Sequence, residues 1–277
     1  MKKKAIFNLA KKLWPIHRTI AGPGLKASLK IIKSEQNLLK IKFIKTGKKV
    51  YDWKVPWEWE IKDAWIKFRN KKIIDYKKNN LHIVGHSHKI NKIINLKELK
   101  SRIHFIKKIP NAIPFVTSYY KKYWGFCTNY KDYKKLQNGE YHVFIDSNFK
   151  KGYLNYGEIV LKGKTKKEIL FTTYLCHPSL ANNEISGPCV VTYLSKFVKK
   201  LKKKHYTYRF IFIPETIGSI AYINKNFSNL KKNLLAGFNI SCVGDERAYS
   251  YVSSRKGDTI SDYVAKKILY STDQKFK

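Results

Sequence analysis

The spacing of hydrophobic and polar residues changes twice along the chain. In residues 3–17, the residues Ile6, Leu9, Ala10 and Leu13 fall on one helical face with lysines between them. After the turn RTIAGPG, the segment LKASLKIIKSEQ resumes helical spacing. From Leu38 the period becomes two, because LLKIKFIKTGKKVYDWKVP alternates apolar residues with lysines. The pattern predicts two helices followed by half-buried strands.

The middle of the chain is rich in aromatic residues. Four tryptophans interleave with acidic residues in one short stretch: Trp53, Trp57, Trp59 and Trp65. Such a patch could stack on sugars or bases, or form the core of a β-rich module. In NLHIVGHSH, even spacing would place His82, His86 and His88 on one strand face, where they could bind a metal or serve as ordinary polar positions. Residues 90–106 are interpreted as a helix or turn.

From Ser186 onward, helical and strand-like segments alternate. The segment GPCVVTYLSKFVKKLKKK predicts a helix, YTYRFIFIP a strand, IGSIAYINKNFSNLKKN a helix and LLAGFNISCVG a strand. A last helix is predicted over SDYVAKKILYS. We therefore predict an α/β fold, with a mixed sheet flanked by helices. In such sheets, functional sites lie beyond the carboxyl ends of strands.

The charge balance is unusual, with 57 Lys+Arg against 19 Asp+Glu and a formal net charge of +38. A surplus of this sign can indicate a nucleic acid, an anionic membrane or an acidic glycan as partner. Only six of the basic residues are arginine, and phosphate and base recognition favour the bidentate arginine fork. Lysine is also spread along the whole chain, as biased codon usage would produce. A nucleic-acid partner is therefore not favoured, and a solvated basic surface is the simpler interpretation.

Four widely spaced cysteines lie in apolar contexts without any C-x-x-C pair: Cys127, Cys176, Cys189 and Cys242. This indicates buried free thiols in a reducing compartment. The apolar run after Lys2, Lys3 and Lys4 is too short for a signal peptide, and no apolar stretch is long enough to span a membrane. We expect a cytoplasmic protein.

Three strand ends carry candidate chemistry. His177 follows ILFTTYLC, Glu215 follows YRFIFIP, and Asp245 follows FNISCVG. One imidazole and two carboxylates could hold a single divalent metal and supply a general base. The same residues could equally cap helices and pair with lysines, so spacing alone leaves both interpretations open.

Seven segments resemble a known family: LWPIHRTIAGPG, VYDWKVPWEWEIKDAWI, NLHIVGHS, IPFVTSYYKKYWGFC, CHPSLANNEISGP, YRFIFIPETIGSIAYI and CVGDERAYSYVSSRKGDTISD. They are similar to bacterial aminopeptidase-like domain proteins of surface-polysaccharide biosynthesis clusters. That family is similar in turn to zinc exopeptidases of the bacterial leucyl aminopeptidase type. The resemblance implies that His177 and Asp245 are metal ligands and that Glu215 is the general base.

The chain also departs from the exopeptidase pattern. Asn183 stands at the position of the carboxylate that bridges two zinc ions, and Thr216 at that of a second glutamate ligand. Neutral side chains cannot neutralise two dications, so at most a single zinc ion is expected. Glu184 adjoins the bridging position, and Asn183, Glu184 and Thr216 are expected to surround the site without ligating. The chain ends at Lys277, where the family continues, so a truncated form and a complementing C-terminal chain are also expected.

The resemblance implies an aminopeptidase-like α/β domain of residues 1–48 and 150–277, with a β-rich inserted domain of residues 49–149. The expected function is metal-dependent hydrolysis of a peptide, amide or glycan-linked substrate in surface-polysaccharide assembly, impaired by truncation. The alternative is a catalytically inactive glycan-binding or accessory protein of the same fold. This alternative rests on Asn183, Thr216, the tryptophan patch and the lysine surplus.

Overall fold

The computed structural model describes residues 3–272, so the expectations that concern Lys2 and the chain end at Lys277 lie outside the described residues. The helices are α1 (Lys3–Leu13), α2 (Pro23–Glu35), α3 (Leu96–Lys100), α4 (Tyr130–Lys134), α5 (Ser186–Lys200), α6 (Ile217–Asn233) and α7 (Ile260–Tyr270). The strands are β1 (Lys40–Lys45), β2 (Lys49–Val50), β3 (Trp53–Lys54), β4 (Glu58–Phe68), β5 (Lys71–Asp75), β6 (Ile90–Asn95), β7 (Ile103–His104), β8 (Phe126–Cys127), β9 (Glu140–Lys150), β10 (Tyr153–Leu161), β11 (Glu168–Tyr174), β12 (Thr207–Ile213) and β13 (Leu234–Asn239).

The described chain divides into two compact units. The first combines the residues up to Ile20, Gly24–Val55 and the residues from Leu154 onward. The second contains Ala21–Pro23 and Pro56–Tyr153.

The first unit contains a five-stranded mixed sheet of order β1-β10-β12-β11-β13. Strands β11, β12 and β13 are parallel to one another, and β10 is antiparallel to β12. Parallel neighbours need crossover connections, which α5 and α6 provide. The carboxyl ends of β11, β12 and β13 therefore lie at one edge of the sheet, which is the edge predicted to carry chemistry.

Helices cover both faces of this sheet, and side-chain alternation along β12 shows why. Phe210 and Phe212 point into an apolar core shared with α1, α2 and α5. Arg209 points to the other face, where Tyr222 of α6 donates a hydrogen bond to Glu158 (2.9 Å). Both faces are thus buried, as predicted for this part of the sequence, and the predicted fold class is confirmed.

The second unit is built on a four-stranded sheet of order β5-β4-β9-β6. Its core includes Trp59, Tyr141 and Phe126, all of which are almost completely buried. The prediction of a helix or turn over residues 90–106 was partly wrong, because β6 pairs with β9 before α3 begins. In this edge strand Asn91, Lys92 and Ile93 are exposed in succession and Ile94 is buried, so the two-residue period of a strand is absent.

The three histidines of NLHIVGHSH do not share a strand face, so that prediction was wrong. Residues Asn80–His82 form a single 3-10 turn, and His86 has a positive φ of 64°. The ring of His82 contacts the carbonyl oxygen of Cys127 (2.8 Å), whereas the ring of His86 contacts Thr117 Oγ1 (3.3 Å). Gly85 and the reversal at His86 break the two-residue period that the even spacing suggested.

The cysteine prediction holds for three of the four residues. Cys127, Cys176 and Cys189 are free and buried, but Cys242 is free and exposed. Cys242 lies in the loop after β13 rather than within the apolar strand pattern, because β13 ends at Asn239. Among the helices of residues 3–272, none combines the length and apolarity required to cross a membrane.

Candidate functional site

Three loops at the carboxyl edge of the sheet form the candidate site. They follow β11, β12 and β13, and each contains a residue with positive φ: Ser179 (45°), Thr216 (54°) and Cys242 (52°). Non-glycine residues with positive φ cost of the order of 1–3 kcal/mol when they occupy sparsely populated regions. Such strain concentrates at functional sites, where the surrounding structure holds the chain in place.

His177 lies at the centre of this edge, with a carboxylate at each ring nitrogen. Its Nδ1 is 3.1 Å from Glu184 Oε1, and its Nε2 is 2.9 Å from Glu215 Oε1. The residue is 7% exposed, so both contacts are largely shielded from water. The structure therefore brings together two of the residues at strand ends, His177 and Glu215, and adds Glu184 from the next turn.

Glu184 belongs to one π-helical turn, Ala181–Ile185, that leads directly into α5. Its side chain is fully buried, and Oε2 accepts hydrogen bonds from the backbone amides of Cys176 (2.6 Å) and His177 (2.9 Å). Burial raises the pKa of Glu184, while the facing His177 and the two amides oppose that rise. The extra residue in the π turn explains how Glu184, rather than Asn183, comes to face His177.

Arg18 is a buried cation near this carboxylate. It is completely buried, and its Nη1 donates to the carbonyl oxygen of Leu13 (2.5 Å). Its Nε and Nη2 make no hydrogen bond within the described residues. Burial lowers the pKa of Arg18 to about 10, and the charge of Glu184 acts in the opposite direction. Arg18 thus supplies positive charge behind the carboxylate that holds His177.

Cys176 occupies the inner side of the site. Its Sγ lies 3.0 Å from His177 Nδ1 and 3.9 Å from Glu184 Oε1, and it accepts a hydrogen bond from the Glu215 amide (3.4 Å). Among the described residues, Cys176, His177 and Glu184 form a group whose ligand atoms all lie within 4.8 Å of one another. Burial raises the pKa of the thiol well above its usual range, and the charge of Glu184 adds to this rise. The thiol is therefore neutral unless a bound cation removes its proton.

Glu215 and Thr216 form the turn between β12 and α6. A hydrogen bond from His177 lowers the pKa of Glu215, although partial burial opposes the shift. The carbonyl oxygen of Glu215 accepts from the Gly218 amide (3.3 Å), and that of Thr216 accepts from the Ile220 amide (2.9 Å). Thr216 is therefore the N-cap of α6, with its carbonyl oxygen and not its side chain making the helical hydrogen bond. Its positive φ turns the chain directly after Glu215.

Asp245 lies in the loop after β13 and has different neighbours. Its Oδ2 accepts from Asn182 Nδ2 (3.0 Å) and from Arg247 Nη2 (3.2 Å), and its Oδ1 accepts from the Arg247 amide (3.1 Å). Hydrogen bonds from Arg247 lower the pKa of Asp245. Asn182 also accepts from the Gly244 amide (2.7 Å), so its amide group joins this loop to the turn that carries Glu184.

Asn183 makes polar contacts with neutral groups. Its Nδ2 lies 3.3 Å from the hydroxyl of Tyr174 and 3.6 Å from Cys242 Sγ. An amide nitrogen that faces a hydroxyl and a thiol carries no negative charge for a cation.

Sequence reasoning did not select Cys176, Arg18 or Tyr174 for the site. The adjacency of Cys176 to His177 was a usable signal, whereas nothing in the local pattern around Arg18 marks a buried cation.

Histidine, carboxylate and thiol groups at this edge of the sheet could together hold a divalent ion. A histidine whose Nδ1 faces a buried carboxylate is held in the orientation that directs Nε2 toward a metal. Glu215 supplies one carboxylate beside Nε2, but Asn183 and Thr216 add no charge. An imidazole with neighbouring carboxylates and a thiol is a donor set that is compatible with zinc.

The fold and this edge of the sheet define a class of protein. BSAP, a zinc aminopeptidase from Bacillus subtilis, superimposes with a TM-score of 0.66 at 16% identity, over 96% of this chain and 77% of that chain. A peptidase M28 precursor from Shewanella amazonensis superimposes with a TM-score of 0.60 at 12% identity, over 92% and 74%. The chain therefore has the zinc-exopeptidase fold.

Closer relatives identify the family. Residues 7–277 match the family described as Domain of unknown function (DUF4910), and the chain belongs to that family. It is 42% identical over 265 residues to a Clostridium acetobutylicum protein described as a candidate polysaccharide biosynthesis protein with an aminopeptidase-like domain. This match covers 95% of the chain and 60% of the relative.

A solved structure supports the same assignment. The crystal structure of a candidate peptidase from Clostridium acetobutylicum superimposes with a TM-score of 0.94 at 41% identity. It covers 98% of this chain and 64% of that chain. The chain thus spans less than two thirds of the length of these two relatives. The predicted resemblance to aminopeptidase-like proteins is confirmed.

Proposed function

We propose that this domain hydrolyses a peptide or amide bond during surface-polysaccharide assembly, with one zinc ion and Glu215 as the general base. The observation that carries the proposal is the placement of His177 between Glu184 and Glu215 at the carboxyl edge of a zinc-exopeptidase sheet. The descriptions of the Clostridium acetobutylicum relatives support the reaction class and the polysaccharide context. The proposal includes the division into residues 1–48 with 150–277 and an inserted domain of residues 49–149, and a cytoplasmic location.

In this proposal, His177 holds the ion through Nε2, and Asp245 is the second protein ligand. When bound, zinc acidifies a water molecule and polarises the carbonyl group of the substrate. Glu215 accepts the proton of that water, for which its ionised state and its place beside His177 Nε2 are suited. Glu184 keeps the imidazole oriented, and Thr216 fixes the turn that directs Glu215 toward the site.

The test is zinc content measured by mass spectrometry on protein purified without a histidine tag. We expect close to one zinc per chain, with loss of zinc in His177→Ala and a reduced amount in Asp245→Asn. Glu246→Ala, an exposed acidic residue next to Asp245, is the matched control and should retain zinc. Less than about 0.2 zinc per chain, unchanged by His177→Ala, would contradict the proposal.

A second candidate function is an inactive glycan-binding or accessory protein. It is favoured by the neutral contacts of Asn183 and by the hydrogen bonds that tie Asp245 to Asn182 and Arg247. Trp57, which is 44% exposed, offers an aromatic surface on which a sugar could stack. Acidic-polysaccharide binding that disappears in Trp57→Ala, in a protein without zinc, would support this function over hydrolysis.

A further inference from the structure

One face of α1 alternates cations with exposed aromatic rings. Lys3, Phe7, Lys11 and Trp14 are spaced by four, four and three residues, so they lie within about 80° of the helix circumference. The Trp14 amide donates to the Ala10 carbonyl oxygen (2.9 Å), which extends the helical course to Trp14. Phe7 is 60% exposed and Trp14 is 52% exposed, whereas Leu9 and Leu13 fill the core on the other face.

An apolar groove runs along this face. It has a volume of about 490 Å³ and lies between α1 and the start of α5. Its lining includes Ile6, Ala10, Ile185, Val190 and Val243. Phe7 and Trp14 stand on the side of α1, with Lys3 and Lys11 between and beside them. The groove is thus apolar inside and cationic along one rim.

The geometry of the rim resembles a side-chain arrangement suited to a membrane interface. Lys11 Nζ lies over the Phe7 ring, 4.7 Å from its centre, so a cation and an exposed aromatic ring are paired on this face. Aromatic rings favour the boundary between headgroups and acyl chains, and lysines favour anionic headgroups. Exposed rings that adjoin an apolar groove form a contiguous apolar patch, which is typical of an interaction surface.

The charge of the whole chain points to the same occupant. A net charge of +38 produces a long-range attraction to any anionic surface, and the proposed hydrolysis makes no use of it. Each lysine that lies close to an anionic leaflet strengthens membrane binding by about 1 kcal/mol. A charged surface explains attraction but not two exposed rings, whereas an anionic bilayer accommodates both features.

We propose that this face of α1 binds the surface of an anionic lipid bilayer. Phe7 and Trp14 insert at the boundary between headgroups and acyl chains, Lys3 and Lys11 contact the headgroup phosphates, and the groove accommodates acyl methylenes. The inference concerns the location of the protein at a membrane surface. It goes beyond the proposed hydrolysis and does not depend on it.

The experiment is cosedimentation of the full chain with vesicles of phosphatidylcholine, with and without about one third phosphatidylglycerol. We expect binding only to the anionic vesicles. In Phe7→Ser/Trp14→Ser, the partition coefficient should fall at least about tenfold at constant salt. Phe227→Ser is the matched control, because Phe227 is a 51% exposed aromatic residue on α6 and does not line the groove. Circular dichroism and thermal melting establish that each variant is folded.

Three outcomes would overturn the proposal. The wild-type chain could fail to bind anionic vesicles, or the double variant could bind as tightly as wild type. Alternatively, the chain could bind a monomeric anionic amphiphile, such as decanoate below its micellar concentration, and not bind vesicles. The last result would assign the groove to a single amphiphile rather than to a bilayer. If the double variant misfolds, Lys3→Glu/Lys11→Glu provides an independent test, with the same loss of binding expected.

Discussion

Replacing Glu184 by Gln tests whether the buried carboxylate holds His177 in position for a metal. Oε2 of the carboxylate accepts from the amides of Cys176 (2.6 Å) and His177 (2.9 Å), and Oε1 faces His177 Nδ1 (3.1 Å) and Cys176 Sγ (3.9 Å). Glutamine has the same shape but only one oxygen. Its NH2 group must therefore face either the imidazole or the two backbone amides.

The first arrangement weakens zinc binding directly, and the second destabilises the segment that positions His177. If the NH2 group donates to Nδ1, the ring proton moves to Nε2, and the nitrogen expected to bind the metal is blocked. If the glutamine oxygen faces Nδ1 instead, two buried amides lose their acceptor, at about 1–3 kcal/mol each. Loss of such a supporting carboxylate typically lowers metal affinity by about 10–100-fold, or about 1.4–2.7 kcal/mol.

The assay is competitive zinc titration against a chelator of known affinity, with thermal melting to confirm that the variant is folded. Glu246→Gln is the control, because it removes an exposed carboxylate close to Asp245 and should leave zinc affinity unchanged. His177→Ala sets the value expected for loss of the site. A folded Glu184→Gln variant with wild-type zinc affinity, alongside loss in His177→Ala, would refute the positioning role.

Three further predictions follow from contacts of the described residues. Arg209→Met should lower the free energy of unfolding by about 3–5 kcal/mol at pH 7 in urea titrations, because Arg209 pairs with buried Glu158 (2.8 Å) and Glu168 (2.7 Å). Burial raises the pKa of both glutamates, but their hydrogen bonds and the charge of Arg209 outweigh it and lower them overall. The stability from these ion pairs is therefore present above the unfolded-state pKa of about 4.3 and is lost as the pH falls through the lowered folded-state values. The Arg209→Met effect should shrink over that acidic range, and an effect that grows there would contradict this account. Thr216→Gly should stabilise the protein by about 1 kcal/mol and raise its melting temperature, because glycine adopts a positive φ without strain. The same change should reduce any hydrolytic rate, because the turn that carries Glu215 is no longer fixed. A lower melting temperature would show that the threonine side chain contributes more than the strain costs. Cys176→Ser should leave the absorption spectrum of cobalt-substituted protein unchanged, because the proposed ion lies on the Nε2 side of His177. A sulfur-to-cobalt charge-transfer band that is present in wild type and absent in the variant would place the ion on the Cys176 side instead.

The parts of the site that sequence could predict are those closest to strand ends. His177 follows the last residue of β11 by three positions, and Glu215 follows that of β12 by two. Since the carboxyl ends of parallel neighbours lie side by side, such short extensions leave little freedom, and the two side chains come within 2.9 Å. Strands β11 and β12 were also predictable, because both faces of the sheet are covered and most residues of the two strands are therefore apolar or aromatic.

The position of Asp245 could not be predicted from its distance to a strand end. It follows the last residue of β13 by six positions, a length that can reach about 20 Å when extended. Its place is set by hydrogen bonds with Asn182 and Arg247, which depend on side chains from two different loops. Glu184 was expected to lie near the site, but its contact with His177 was not expected. That contact arises in the π-helical turn Ala181–Ile185, which the sequence pattern does not reveal.

The balance of charge at the sheet edge bears on how many ions the site can hold. Glu184 and Glu215 contribute two negative charges beside His177, and Arg18 offsets one of them from behind. The charge of Asp245 is shared with Arg247 in the present arrangement. In the proposed function, one dication would meet the charge of these carboxylates, whereas a second would face the neutral groups of Asn183 and Thr216 without a carboxylate between the two ions. Loss of Arg18 would remove one of the groups that stabilise the buried charge of Glu184, so we expect it to destabilise the site rather than to strengthen metal binding.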